Sequence, residues 1–358
     1  MALAQALRML TELHGPPGQE DEVREFIAKE VMELADEMTV DAFGNLIALQ
    51  TGSHDGPKVM IDAHMDEIAL VVKHIDPRGM IWVARHGGMV DKLLLGQHVT
   101  ILTRRGHVSG VVGCKSAHLM SEEERFKVTP IMQLWIDIGC DSADEVEGLG
   151  VRVGDYVTYE KRFKQLGKDD YVCSTTLDDR MGCIALMEAL RHLRDMAHEA
   201  NLYAVFSVQE EVGCRGAQLA AQRIKPDIAF ILDTGFAEDP ATNMKETRLK
   251  IGDGPAIRSW EQRYAVPKRL FDFMLSTAEA SRIPYQTEIV ISGGTDATTI
   301  HLAGSGVPTG EVIIARRYSH SPVEVASLRD IENAARLTTA LVEYSRSSFV
   351  RGFEMRIK

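Results

Sequence analysis

Long apolar runs are missing from this 358-residue chain. None approaches the roughly 20 residues needed to cross a bilayer, so no membrane span is predicted. Cysteine is scarce: Cys114, Cys140, Cys173, Cys183 and Cys214 are odd in number and lack CxxC spacing. That excludes a disulfide framework and a zinc knuckle, and predicts reduced thiols in a cytoplasm. Positive charge is in deficit, with 40 Lys and Arg against 52 Asp and Glu and a net charge of −12. Nucleic acid and anionic membranes are therefore not expected partners. The N-terminal MALAQALRMLTELHG is amphipathic and lacks the apolar core and cleavage site of a signal peptide. Internal repeats and low-complexity tracts are absent too. What remains, 45% hydrophobic and 26% charged, is the composition of an ordinary globular protein with a sizeable core.

The pattern along the chain changes twice. Residues 1–36 read as two helices parted by GPPGQED, the second with Val23, Phe26, Ile27, Val31, Leu34 and Ala35 near a 3.6 period. Short strands follow at about 45–49 and 58–62. From 68 to 159, glycine-punctuated β segments (IALVVKHI, MIWVAR, HVTILT, HVSGVVG, MQLWIDIG, DYVTYE) succeed one another with almost no helix, as in a small β-barrel or sandwich. Alternation then returns, with helices at 182–198, 216–223, 267–282 and 327–346. Strands interleave them at 202–208, 227–232, 286–291 and 311–316. The reading is an α/β fold, a mostly parallel mixed sheet flanked by helices. Residues 1–67 and 164–358 form one discontinuous domain, interrupted by a β-rich insertion over 68–163.

Polar residues gather where the expected strands end. Glu210 and Glu211 close the apolar run FSVQEEVG. Adjacent carboxylates repel and cost desolvation unless a cation opposes them. His64 and Asp66 lie in AHMDE, Asp178 and Asp179 in LDDRMG, Asp233 at the end of IAFILD, and His320 in SHSP. Each alone has a plainer reading: a hydrogen-bonded histidine, a helix N-cap (Asp179 included), a turn aspartate. Together, five segments deliver His, Asp, Glu, Asp and His to the carboxyl edge of the sheet, where α/β folds bind ligands. Imidazole and carboxylate without thiolate suit zinc, cobalt or manganese. Five ligands exceed one open tetrahedral site and fit two ions roughly 3.5–4 Å apart sharing a carboxylate. A remaining glutamate is then free to act as general base.

The succession AHMDE, LDDRMG, VQEEVG, LDTG and YSHSPVE, with GVRVGD and SGGTDA between, resembles the tetrahedral-aminopeptidase family of dinuclear metallopeptidases. The similarity runs nearly end to end. Glutamyl, leucyl and lysyl aminopeptidases belong to that family, and some members carry an endoglucanase label. The resemblance implies a zinc-peptidase-like fold whose small β-barrel insertion dimerises, the dimers building a tetrahedral dodecamer. It implies that His64 and Asp233 bind one ion, Glu211 and His320 the other, and that Asp178 bridges them. Asp66 would orient His64 from behind, and Glu210 would be the general base. A cis peptide between Asp178 and Asp179 is also implied. Gly87-Gly88-Met89, where the family often has Gly-Gly-Trp, and Ala69, often Gly, depart from its pattern; both point to assembly more than to chemistry.

The expected activity is removal of N-terminal residues from short peptides: a water between the metals attacks, and Glu210 moves its proton to the leaving amine. Another dinuclear hydrolase on the same scaffold, a deacylase or N-acyl amino-acid hydrolase, is the alternative. A glycosidase would leave both histidines idle. Gly293, Gly294 and Thr295 read either as a loop approaching substrate or as a helix entry capped by Thr295 or Asp296. Of Arg316 and Arg317 at most one faces the site, where it would favour acidic first residues; the plainer reading is a surface or interface role. Arg180 reads as a brace for its acidic neighbours. His74, His86, His98, His107 and His118 read as structural, and the 16 methionines as core and interface filler.

Overall fold

The computed structural model describes residues 2–168, 170–238 and 249–353. Its strands are β1 (Glu37–Val40), β2 (Leu46–Gln50), β3 (Lys58–His64), β4 (Ala69–Ile75), β5 (Ile81–His86), β6 (His98–Thr103), β7 (Gly106–Val112), β8 (Trp135–Asp137) and β9 (Tyr156–Tyr159). They continue with β10 (Phe163–Gln165), β11 (Tyr171–Ser174), β12 (Asn201–Ser207), β13 (Ile228–Phe236), β14 (Ala256–Glu261), β15 (Tyr264–Ala265), β16 (Gln286–Ile289), β17 (Thr309–Arg316) and β18 (Glu324–Ser327). The helices used below are α1 (Leu3–Thr11), α2 (Asp21–Val31), α3 (Glu122–Phe126), α4 (Ala143–Gly148), α5 (Leu177–Leu193), α6 (Arg215–Ile224), α7 (Lys268–Ala280), α8 (Ala297–Ile300) and α9 (Leu328–Tyr344).

Among the described residues, nine strands form a mixed sheet in the order β1-β2-β12-β3-β13-β17-β14-β15, with β16 on β14. Its centre, β12-β3-β13-β17, is parallel. The apolar runs behind those strands are buried on both faces, as parallel strands require: Val59, Ile61, Val205, Ile231 and Val312 are fully or almost fully enclosed. Helix α5 packs on β3 and β13 with α1, α2 and α9 around it, while α6 and α8 pair against β12, β3, β13 and β17. On α2 the i, i+4, i+8 residues Val23, Ile27 and Val31 are the buried ones, as the period predicts.

Strands β4-β5-β8-β7-β6-β9 close into an antiparallel barrel around its own core, including Leu70, Val83, Ile101, Ile136 and Val157. The fold is thus an α/β sheet with a small barrel inserted after β3.

Local differences from the sequence reading have simple causes. Helix α5 begins at Leu177 and ends at Leu193, not over 182–198; its second and third residues, Asp178 and Asp179, are non-helical and joined by a cis peptide. Strand β13 continues past Asp233 because its backbone stays paired with β17 as far as Phe236 and Arg316. Strand β1 was not expected, since three of its four residues are exposed and leave no apolar run. Helices α3 and α4 are short and polar, each started by a serine (Ser121, Ser142) that accepts an N–H three residues on.

Candidate active site

The parallel register brings the carboxyl ends of four strands together: Ser207 lies opposite His64, Ile313 opposite Asp233, and Phe236 opposite Arg316. His64 is the last residue of β3. Asp66, buried in the loop beyond, accepts the N–H of Glu210 on Oδ1 (2.9 Å) and of Glu211 on Oδ2 (3.1 Å). Its Oδ1 also faces His64 Nδ1 at 3.4 Å. One carboxylate thereby ties the end of β3 to the turn after β12 and fixes where both glutamates stand.

Asp178 occupies the centre. His64 Nε2 lies 3.3 Å from its Oδ1, and His320 Nε2 lies 3.4 Å from its Oδ2. His320 Nε2 is also 3.4 Å from Glu211 Oε1. Among the described residues three groups of potential ligand atoms result, each with all atoms within 4.8 Å of one another: His64, Asp178 and Asp233; Asp178, Glu211 and His320; and Glu210, Cys214 and Asp296. Asp178 is common to the first two and turns a different oxygen to each histidine. Glu210 is in neither of those two, and the third group, which holds it, contains no histidine.

Electrostatics follow from burying so many acids together. Burial, then the neighbouring Asp178, pushes Asp233 up to about 7, and burial, with Asp178 next among the acids, pushes Glu211 up to about 8. Burial also raises Glu210 well above the usual range, with Asp296 and Asp233 adding to it. Burial would lower the two imidazoles, but Asp178 and Asp66 hold His64 well above its ordinary value, and Glu211 and Asp178 hold His320 at about 9. Asp178 runs the other way: burial notwithstanding, the Arg316 guanidinium and the two imidazoles keep it well below the usual carboxylate range. The cluster carries more buried carboxylate than the side chains around it neutralise. Buried nitrogen and oxygen donors with unspent negative charge fit divalent cations.

The ligand groups open on a cavity of about 320 Å³. Beyond the cluster its walls include Phe236, Arg263, Val290, Gly293 and Gly294. None of His74, His86, His98, His107 or His118 lines it. Thr295 Oγ1 accepts the Ala297 N–H at 3.2 Å just ahead of α8, while the N-cap residue Asp296 makes no side-chain cap and turns its carboxylate inward to Ser207. The loop therefore borders the cavity and also starts a helix.

Residues 44–337 match the family described as M42 glutamyl aminopeptidase. The chain belongs to that family. This M42 enzyme, a peptide-bond hydrolase, is 38% identical to a putative aminopeptidase of Acetivibrio thermocellus, over 92% of this chain and 96% of the relative. An aminopeptidase structure from the archaeon Desulfurococcus kamchatkensis superposes with a TM-score of 0.94 at 36% identity, covering 99% of this chain and 98% of that one. The TET1 peptidase of Pyrococcus horikoshii, which can assemble into a tetrahedron or a large octahedral shell, superposes with a TM-score of 0.87 at 34% identity, covering 96% of this chain and all of its own (100%). Membership implies divalent metal ions, which the donor set accommodates.

Four features of the M42 site differ from the sequence reading. Arg316 is not a surface residue: it is buried, donates from Nε to Thr234 Oγ1 (2.8 Å), pairs with Asp178, and lies 3.1 Å from Glu324. Glu324, the last letter of YSHSPVE, was given no role, yet it accepts the Asp178 N–H (3.1 Å) and the His320 N–H (2.9 Å). Arg180 does not brace Asp178 or Asp179; it donates to the Leu10 carbonyl (3.1 Å) and approaches Glu67 (3.9 Å). Asp179 instead accepts the Gly182 N–H at 3.1 Å, the N-cap role. Finally, Gly88, to which the sequence assigns no role of its own, reaches a candidate ligand: its carbonyl is 3.2 Å from His320 Nδ1, and a Cβ there would sit 2.3 Å from that atom.

Proposed function

We propose that this M42 enzyme is a dinuclear metal-dependent aminopeptidase that removes N-terminal residues from short peptides. Asp178 carries the reading, because it is shared by two ligand groups and turns one oxygen toward each histidine. His64 and Asp233 would hold one ion with it, and Glu211 and His320 the other. Two divalent ions held there, zinc or cobalt and also manganese by ligand chemistry, would lower the pKa of a water and polarise the scissile carbonyl. Glu210 stands beside both groups without joining either, and lines the cavity. As general base it takes the proton of the attacking water and delivers it to the departing nitrogen. Asp66 keeps Glu210 and Glu211 in register through their N–H groups. Glu324 holds Asp178 by its N–H and Arg316 by its Oδ2, and the Gly88 carbonyl fixes the His320 ring.

The barrel insertion, taken as residues 68–163, serves as the dimerisation domain of a homo-oligomer, a dimer from which a tetrahedral dodecamer is built. Residues 1–67 and 164–358 are the catalytic domain. Exposed Leu119, Phe126, Val128 and Met132 in the insertion support that placement, as does the assembly of the Pyrococcus horikoshii TET1 peptidase. No helix among the described residues is long and apolar enough to cross a membrane, and five free thiols agree with a reducing cytoplasm.

The test is to strip the protein with a chelator and restore zinc, cobalt or manganese. Each form is then assayed on aminoacyl anilides beside their N-acetylated counterparts. Metal-dependent cleavage of the free-amine forms alone is expected. Cleavage of the acetylated forms would move the assignment to a deacylase.

A further inference from the structure

The backbone at residue 214 has no need of a cysteine. Cys214 sits at the N-cap of α6 in the left-handed region, φ 54° and ψ 42°, which glycine and asparagine adopt more readily. Its side chain caps nothing on that helix. The thiol instead turns to the active-site cavity, where Sγ lies 3.3 Å from Glu210 Oε1. Among the described residues no other side chain makes a hydrogen bond to the Glu210 carboxylate.

Cys214 is itself held on three sides. Its N–H donates to the Glu210 carbonyl at 2.9 Å, closing the turn that carries the glutamates. Thr299 Oγ1 donates to its carbonyl at 3.0 Å; at Sγ, Thr298 Oγ1 donates over 3.5 Å, and the Thr295 carbonyl, the other acceptor within reach of the single S–H, lies at 3.4 Å against 3.3 Å for Glu210 Oε1. Burial, with Asp296 and Glu210 close by, pushes the thiol pKa up, which favours its protonated, donating form. A path of contacts runs from α8 through Cys214 to the carboxylate that moves the proton.

We infer that Cys214 is a positioning residue, its S–H donating to Glu210 Oε1 and holding the general base in its working rotamer from α8. The inference rests on the proposed role of Glu210. An S–H bond is weak, so the effect is a loss of rate and not of the reaction.

The holoenzyme and its C214A, C214G and C214S variants are compared on a free-amine anilide, with metal content and melting temperature measured on the same samples. C214A and C214G should each lower kcat about three- to tenfold, with KM and metal content unchanged. C214S, whose hydroxyl donates from nearly the same place, should recover most of the loss. C214G lacks the donor and suits the left-handed backbone, so it carries the test if the alanine form is unstable. Full activity in C214A and C214G, or C214S no better than either, overturns the inference while leaving Glu210 as the base. A metal-loaded wild type inactive on every free-amine substrate overturns the proposed function, and this inference with it.

Discussion

Two buried acidic clusters lie within one α/β domain, and they meet the same charge problem differently. At the carboxyl ends of β3, β12 and β13, Asp178, Glu210, Glu211 and Asp233 face a cavity; imidazoles are aimed at Asp178 and Glu211, and the Arg316 guanidinium pairs with Asp178 alone among these four. A short way along the sheet, Glu261, Glu288 and Glu311 surround Arg258. That guanidinium donates from Nε (3.0 Å) and Nη2 (2.8 Å) to Glu288 Oε2, and from Nη1 (3.0 Å) to Glu311 Oε2. Burial raises acids in both clusters; Glu261, at about 8, matches Glu211. The second has its cation built into the chain, in a fork that suits carboxylates. The first leaves donor atoms toward open space, which keeps a place for an ion that comes and goes. Buried acidity therefore does not mark a metal site; ring nitrogens converging with carboxylates on a cavity do.

Three substitutions separate the clusters. The largest effect is expected from Glu210→Gln, which should lower kcat by about 10²–10⁴-fold with metal content nearly intact; metal analysis showing loss of both ions would make Glu210 a ligand. Next, Arg258→Met leaves three buried carboxylates without their cation and should cost about 3–5 kcal/mol of stability. Thermal unfolding should detect the loss while metal content stays at the wild-type level; an unchanged melting temperature would show that the acids simply protonate. The smallest effect belongs to Gly88→Ala, where the added methyl must displace the His320 ring. Metal affinity at the Glu211–His320 position should fall about tenfold, read by competition with a chromophoric chelator, and the His64–Asp233 position should be unmoved.

The sequence carries the first cluster better than the second. His64, Glu210, Glu211 and Asp233 close apolar runs and Asp178 opens a helix, so element pattern and residue type together place them at one edge. Arg258 and its glutamates lie on three strands of unremarkable texture, and nothing local joins them. Arg316 and Arg317 look alike as neighbours; strand pleat says only that they face opposite ways, and tertiary pairing with Asp178 and Glu324 decides which is buried. Gly88 was out of reach for another reason: it meets His320 across 232 residues of sequence, from the other part of the fold. Glu324 had a signal, its place in YSHSPVE, but its role is to accept backbone N–H groups, which no residue pattern reveals.

The central claim is that one carboxylate serves two ions, each with its own histidine. Metal content per chain, measured after metal loading and dialysis on wild type, His64→Ala and His320→Ala, tests it most directly. The account predicts two ions in the wild type and about one in each variant, the survivor held by the other histidine's group. A wild type that never exceeds one ion, or variants that both keep two, would contradict it.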